Sequence, residues 1–218
     1  MRTFAMLPTA AGDEPEFAQC LGELIELTGA QLPAEWSANR TSRAREALRL
    51  LFSTRLAEPG WFEALLRAAI HDPNPSGNRT FVEPMLAAYG RRRVQGALIE
   101  RLQQGSSAQR AGAARAWYWA DALSGPNGDY TAQPLRPDYA PCPDLGMSWR
   151  QTALRVFVTD GDLDVRRNVL PGLPLAAAAY PDALHPLVHE AIRIARTGPD
   201  EYLRHRVEHQ VGGCGSGG

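Results

Sequence analysis

The stretch GDLDVRRNVLPGLPLAAAAY, from Gly161 to Tyr180, constrains the fold of this chain more than any other. Asp162 and Asp164 form an acidic helix start, Val165-Arg166 follows, and apolar residues then recur at helical spacing as far as Pro171 and Pro174. Acidic side chains suit the positive end of a helix dipole. Prolines remove backbone donors, so the reading is a helix over roughly 162–179, bent at the prolines. A helix patterned this way buries one face only and requires neighbours to cover it.

The rest of the chain repeats that pattern, and no segment alternates as a strand would between turn signals. The first helix is expected over Asp13 to Thr28, with Phe17, Leu21, Leu24, Ile25 and Thr28 on one face and Gly29 beyond its end. A second, Thr41 to Ala57, carries the stripe Ala44, Ala47, Leu48, Leu51 and Leu56. Trp61 to His71 follows the Pro59-Gly60 break, and the turn-rich run Asp72 to Asn78 ends it. Thr80 and Glu83 read as a capping box opening a helix over 81–89. Gly90 and Gly105 bound Arg91 to Gln104, and Ser107 caps the run that contains Trp117-Tyr118-Trp119. After the proline-rich residues 124–147, helices are expected from Ser148 to Thr159, Leu184 to Arg196 and Pro199 to Val211.

Two of these helix starts superpose at an offset of 56 residues, with Arg110 on Arg166, Ala113-Ala114 on Val169-Leu170 and Trp117 on Leu173. The unit that opens at Gly161 resembles the first helix of a HEAT-type repeat, and the resemblance covers Thr41 to Val211. It implies an all-α fold, a short right-handed α-solenoid of antiparallel helix hairpins with about ten helices. Residues 1–40 are then an N-terminal capping helix and linker. Residues 41–211 form the repeat domain, interrupted by an insertion at 124–147, and 212–218 form a glycine-rich tail. A non-repetitive helical bundle is the structural alternative. The resemblance further implies a non-catalytic scaffold or adaptor that binds a protein partner.

Composition narrows the chemistry. All 23 basic residues are arginine, as GC-rich bacterial coding produces. A chain without lysine cannot supply the amine of a Walker-type phosphate loop, a pyridoxal Schiff base or a Ser–Lys dyad. The net charge of −1 conceals a basic middle: residues 36–115 carry +7 between acidic flanks of −5 and −3. Cys20, Cys142 and Cys214 lie far apart with no CxxC spacing, which suggests neither disulfides nor a zinc knuckle. The apolar run Phe4 to Leu7 is too short for a signal peptide, no run is long enough to span a membrane, and a cytoplasmic location is expected.

Several residues stand out as binding candidates. Tyr130, Arg136 and Tyr139 lie in the 124–147 insertion and are of types favoured at interface hot spots. Trp119 points about 200° from Trp117 on a helix, so one ring can join the core while the other faces the groove or the 124–147 loop. Arg91, Arg92 and Arg93 open a helix inside the basic stretch and could meet an acidic partner. Trp117 and Asp121, one turn apart, are loosely similar to the aromatic and acid of helical-repeat DNA glycosylases that remove alkylated bases. That resemblance implies an alternative, a DNA-binding enzyme, with nucleic acid as its partner. His185 with His189, and His205 with His209, are spaced for metal ligation. No cofactor or metal is expected, because His205 and His209 should point away from the seam made by Leu203, Val207 and Val211.

Overall fold

The computed structural model describes residues 14–32, 40–122 and 141–212. Every regular element among them is helical: α1 (Glu14–Thr28), α2 (Arg40–Thr54), α3 (Phe62–His71), α4 (Arg79–Tyr89), α5 (Arg91–Gln104), α6 (Ser107–Ala122), α7 (Pro143–Thr159), α8 (Leu163–Val169), α9 (His185–Thr197) and α10 (Glu201–Gly212), with short 3-10 turns between some of them. The expectation of an all-α chain holds. No helix among the described residues is long and apolar enough to cross a membrane.

Extensive contacts follow chain order, each linking elements no more than three positions apart. They form two series. α1, α3, α6, α8 and α10 pack in succession, and so do α2, α4, α5, α7 and α9. Cross-contacts α1 to α2, α3 to α4, α5 to α6, α7 to α8 and α9 to α10 join the series. Consecutive helices switch series everywhere except between α4 and α5. There a single residue, Gly90, joins the helices with φ 78°, in the region that favours glycine.

Four local expectations differ from the structure. α4 begins at Arg79 behind Asn78, whose side chain makes no cap bond, and Glu83 takes Arg79 at 2.7 Å instead of completing a capping box with Thr80. The helix after Asp162 ends at Val169 rather than bending through to 179, because Pro171 and Pro174 withdraw the donors that would continue it. α7 starts at Pro143, five residues before Ser148, since proline fits the first helical turn. Leu56 lies beyond the end of α2 and is exposed, not part of its stripe. The Asp162 cap is as expected, its carboxylate accepting from the amides of Asp164 and Val165 at 2.9 and 3.1 Å.

α6 is the centre of the packing, touching α3, α4, α5 and α8. It departs from the one-faced pattern, since residues 111–117 are buried without a break. Small side chains permit this. Ala111, Ala113, Ala116 and Ala120 are each fully covered, and a Cβ on Gly112 would overlap the Ile70 carbonyl oxygen and lie 2.7 Å from its carbon. The backbone of α6 therefore rests directly on the last turn of α3. Arg115 completes the junction, donating to the Ile70 carbonyl at 3.3 Å and pairing with Asp164 at 3.3 Å. A cation on the exposed carbonyls of a helix end is favoured by the dipole.

One contact recurs between units. Arg45 of α2 reaches Asp72 at 2.7 Å, Arg110 of α6 reaches Asp160 at 2.8 Å, and Arg167 of α8 reaches Asp200 at 2.6 Å. Each aspartate lies in the loop inside the next helix pair with its side chain covered, and each also accepts a backbone amide two or three residues on, at 2.9 Å. In this role Arg167 corresponds to Arg110, one residue off the register that places Arg166 there. Arg166 instead donates to the Phe157 carbonyl at 3.2 Å.

Two outcomes test this packing. Gly112→Ala should destabilise by about 1–3 kcal/mol through overpacking. Gly96→Ala, where a Cβ meets nothing within 4 Å, should stabilise by about 0.5–1 kcal/mol in urea unfolding. Burial opposes charge on Asp160 and Asp200, yet guanidinium and amide donors hold both carboxyls below their ordinary values. Asp72 shifts the other way, because burial outweighs the pull of Arg45. A carboxyl with a depressed folded value stabilises above its unfolded value and loses that contribution as pH falls through the folded one. The Asp160→Asn/Asp200→Asn variant should thus be less stable than wild type at pH 7. The gap should narrow as thermal melts are taken down through the carboxylate range.

Candidate binding surface

Trp117, Tyr118 and Trp119 leave α6 in three directions, about 100° apart. Trp117 turns inward and stacks face to face on Trp149 of α7, ring centroids 4.1 Å apart and 2° from parallel. Trp119 turns toward the loop between α3 and α4, donating its indole N–H to the Pro75 carbonyl at 2.7 Å. The Arg79 guanidinium lies 5.3 Å over that ring. Tyr118 projects outward, 63 % exposed, with its ring edge-on to Trp119 at 5.1 Å. Trp117 is the core ring; the 124–147 loop expected near Trp119 lies largely outside the described residues, and the loop that Trp119 meets is 72–78.

That loop is rigidly built. Asp72 accepts the Asn74 amide, Asn74 accepts the Ser76 amide, and the amides of Gly77 and Asn78 return to the Asn74 carbonyl, all within 2.9–3.2 Å. Asn74, Pro75 and Ser76 remain exposed beside the Trp119 ring. Tyr118, Trp119, Arg79 and this loop thus form a preorganised amphipathic patch at the end of α6. Asp121 is exposed on the same last turn. Tyr130, Arg136 and Tyr139 lie outside the described residues.

The arginine triplet divides. Arg91 is buried and donates to the Ala120 carbonyl at 2.8 Å, where Gln95 also donates at 3.3 Å. It caps the C-terminal end of α6, so its guanidinium is turned inward. Arg92 is exposed and forms a bidentate pair with Asp144 of α7 at 2.8 and 2.9 Å, which holds the Asp144 carboxyl below its usual value. Arg93 lies over the rings of Phe62 and Tyr89, 4.3 and 5.2 Å from their centroids. The dipole cost of three cations at a helix start is met by a carboxylate and two ring faces on neighbouring elements.

Among the described residues no group of three or more His, Cys, Asp or Glu side chains converges as a metal site. His185 directs Nε2 at the Tyr180 carbonyl, 3.1 Å away. His189 is exposed. His205 and His209 bring their Nε2 atoms to 3.3 Å.

A cleft of about 400 Å³ between α1, α3 and the start of α6 escaped the sequence reading. Glu16, Gln19, Cys20, Arg67, His71 and Gln109 line it. His71 Nδ1 stands 3.4 Å from Glu16, and Arg67 pairs with Glu23 at 2.7 Å. Burial pushes the Cys20 thiol up, which disfavours the thiolate a nucleophile requires. No motif could have revealed this cleft, because its walls come from three helices distant in sequence. No family model matches the chain, and neither a curated protein nor a solved structure does.

Arg91→Ala should cost about 1.5–3 kcal/mol, the scale for a hydrogen bond made by a charged group. Arg92→Ala should leave the unfolding midpoint essentially unchanged, as exposed pairs do. Urea titrations of both variants check the division.

Proposed function

We propose that this chain is a non-catalytic HEAT-like α-solenoid, a scaffold or adaptor that binds a protein partner. The observation that carries the reading is the order of helix contacts, two series that follow chain order. Repeat stacks bury their cores this way and offer long side faces for recognition. The recurring Arg45–Asp72, Arg110–Asp160 and Arg167–Asp200 contacts support it, since each joins one helix pair to the loop of the next.

The contact surface we favour is the patch at the end of α6, where Tyr118 and Trp119 stand beside the 72–78 loop and where the 124–147 segment leaves the helix. Tyrosine, tryptophan and arginine supply large contact areas at low entropic cost, and a prebuilt loop loses little freedom on binding. In the glycosylase-like alternative Trp117 would hold an extruded base. One face of its ring is covered by Trp149, and we adopt the scaffold reading over it.

Affinity capture from the native cell, quantified by mass spectrometry, tests this. A partner retained by wild type should be lost at least tenfold by Tyr118→Ala combined with alanine at Tyr130, Arg136 and Tyr139, at an unchanged melting temperature. Retention of that partner by the variant would refute the site. Duplex binding that falls steeply with salt, with base release abolished by Asp121→Asn, would instead establish the enzyme.

A further inference from the structure

The cleft between α1, α3 and the start of α6 carries charges of both signs on fixed supports. On α1, Glu16, Gln19 and Glu23 share a face at three- and four-residue steps, and on α3 Arg67 and His71 lie one turn apart. Glu23 has both oxygens occupied, one by the Gln19 amide at 2.9 Å and the other by Arg67 Nη1 at 2.7 Å. That carboxylate clamps the guanidinium at the cleft and leaves Nε and Nη2 for another acceptor. Gln109 is held in a similar way: its Oε1 accepts the Ser106 amide at 3.1 Å, and its Nε2 makes no hydrogen bond among the described residues. One turn along α3, Glu16 stands 3.4 Å from His71 Nδ1, too far for a good hydrogen bond. Nδ1 is buried and has no hydrogen-bond partner among the described residues, while the Glu16 side chain is 63 % exposed.

We infer that this cleft binds a small zwitterion, a free α-amino acid with a polar side chain. Its carboxylate takes the open N–H groups of Arg67 and the Gln109 amide, and its ammonium takes Glu16. The Glu16 carboxylate beside Nδ1 favours the ring proton there, so His71 Nε2 offers a lone pair to the same ammonium. A simple anion would meet Glu16 and Glu23, and a simple cation would meet Arg67. A ligand with both charges meets each with its opposite. The levels of Arg67 and His71 differ by one helical turn, roughly 6 Å. A carboxylate and an ammonium on one carbon bridge that span with a hydrogen bond at each end. A volume of about 400 Å³ lies at the small end of ligand pockets, roughly 300–1,000 Å³, and suits a metabolite better than a peptide. Gln19 and Ser106 make the rim polar, which favours a polar ligand side chain. Burial keeps the Cys20 thiol protonated, so the cleft holds its ligand without attacking it. The inference does not depend on the scaffold reading.

Calorimetric titration of the full chain with L-serine, L-asparagine and L-glutamine, each alone, decides it. At least one should bind at one molecule per chain, shift the His71 imidazole resonances in NMR spectra and raise the melting temperature. N-acetyl-L-glutamine, which lacks the ammonium, and L-glutaminamide, which lacks the carboxylate, should bind more weakly than L-glutamine by roughly tenfold or more, the worth of one hydrogen bond to a charged group. Glu16→Gln and Arg67→Gln should each weaken binding by a similar factor at a nearly unchanged melting temperature, since neither side chain is deeply buried. Glu26→Gln, exposed on the same helix and outside the cleft, should bind as wild type does. The two analogues need no variant, so they decide the question even where a substitution unsettles the fold. No binding of any of the three amino acids, equal binding of the single-charge analogues, undiminished affinity in the Glu16 and Arg67 variants, or equal loss in Glu26→Gln would each overturn the assignment.

Discussion

A guanidinium reaching from one helix pair into the loop of the next recurs along this chain, and the alignment of the units depends on it. Asp72, Asp160 and Asp200 each divide their carboxylates between a local backbone amide and an arginine 27, 50 or 33 residues away. The amide sets the shape of the turn, and the arginine sets where that turn lies against its neighbour. Burying a carboxylate is costly unless its charge and lone pairs are satisfied. Each loop is therefore held to positions in which the preceding helix can supply a fork of donors. Arginine suits the role better than lysine, because its planar group serves two acceptors at once.

The same economy of donors operates at helix ends. Arg91 and Gln95 converge on the Ala120 carbonyl, Arg115 on that of Ile70, and Arg166 on that of Phe157. Terminal carbonyls lack partners within their own helix and are expensive to bury bare. Side chains from adjacent elements satisfy them, so the ends of short helices can be packed inside. This allows α6 to lie against the last turn of α3, with Gly112 as the point of closest approach. Within the arginine-only basic complement, explicable as coding bias, Arg45, Arg91, Arg110, Arg115 and Arg167 serve as ties between elements.

Function follows from what these ties leave uncommitted. The basic middle of the chain directs much of its charge to carboxylates and aromatic faces, as Arg92 and Arg93 do. That reduces the positive surface open to a polyanion, which supports the protein-binding function proposed above over a nucleic-acid one. The patch beside α6 combines a fixed loop, a fixed indole and an exposed tyrosine, features that suit protein recognition.

Much of the helical framework was legible in the sequence, because apolar period, capping aspartates and glycine breaks act within a few residues. Phe17, Leu21, Leu24 and Thr28 are buried as their spacing demands, and Asp162 caps its helix. The opposed directions of Trp117 and Trp119 were readable from helix geometry, though not the Trp149 ring and Pro75 carbonyl that receive them. Other features depended on partners far along the chain. No local pattern distinguishes buried Arg91 or Arg115 from solvated Arg92, since the deciding carbonyl or carboxylate lies 29 to 52 residues away. Local chemistry determined where helices start and stop; long-range satisfaction of buried charge and bare carbonyls decided which side chains remain for a ligand.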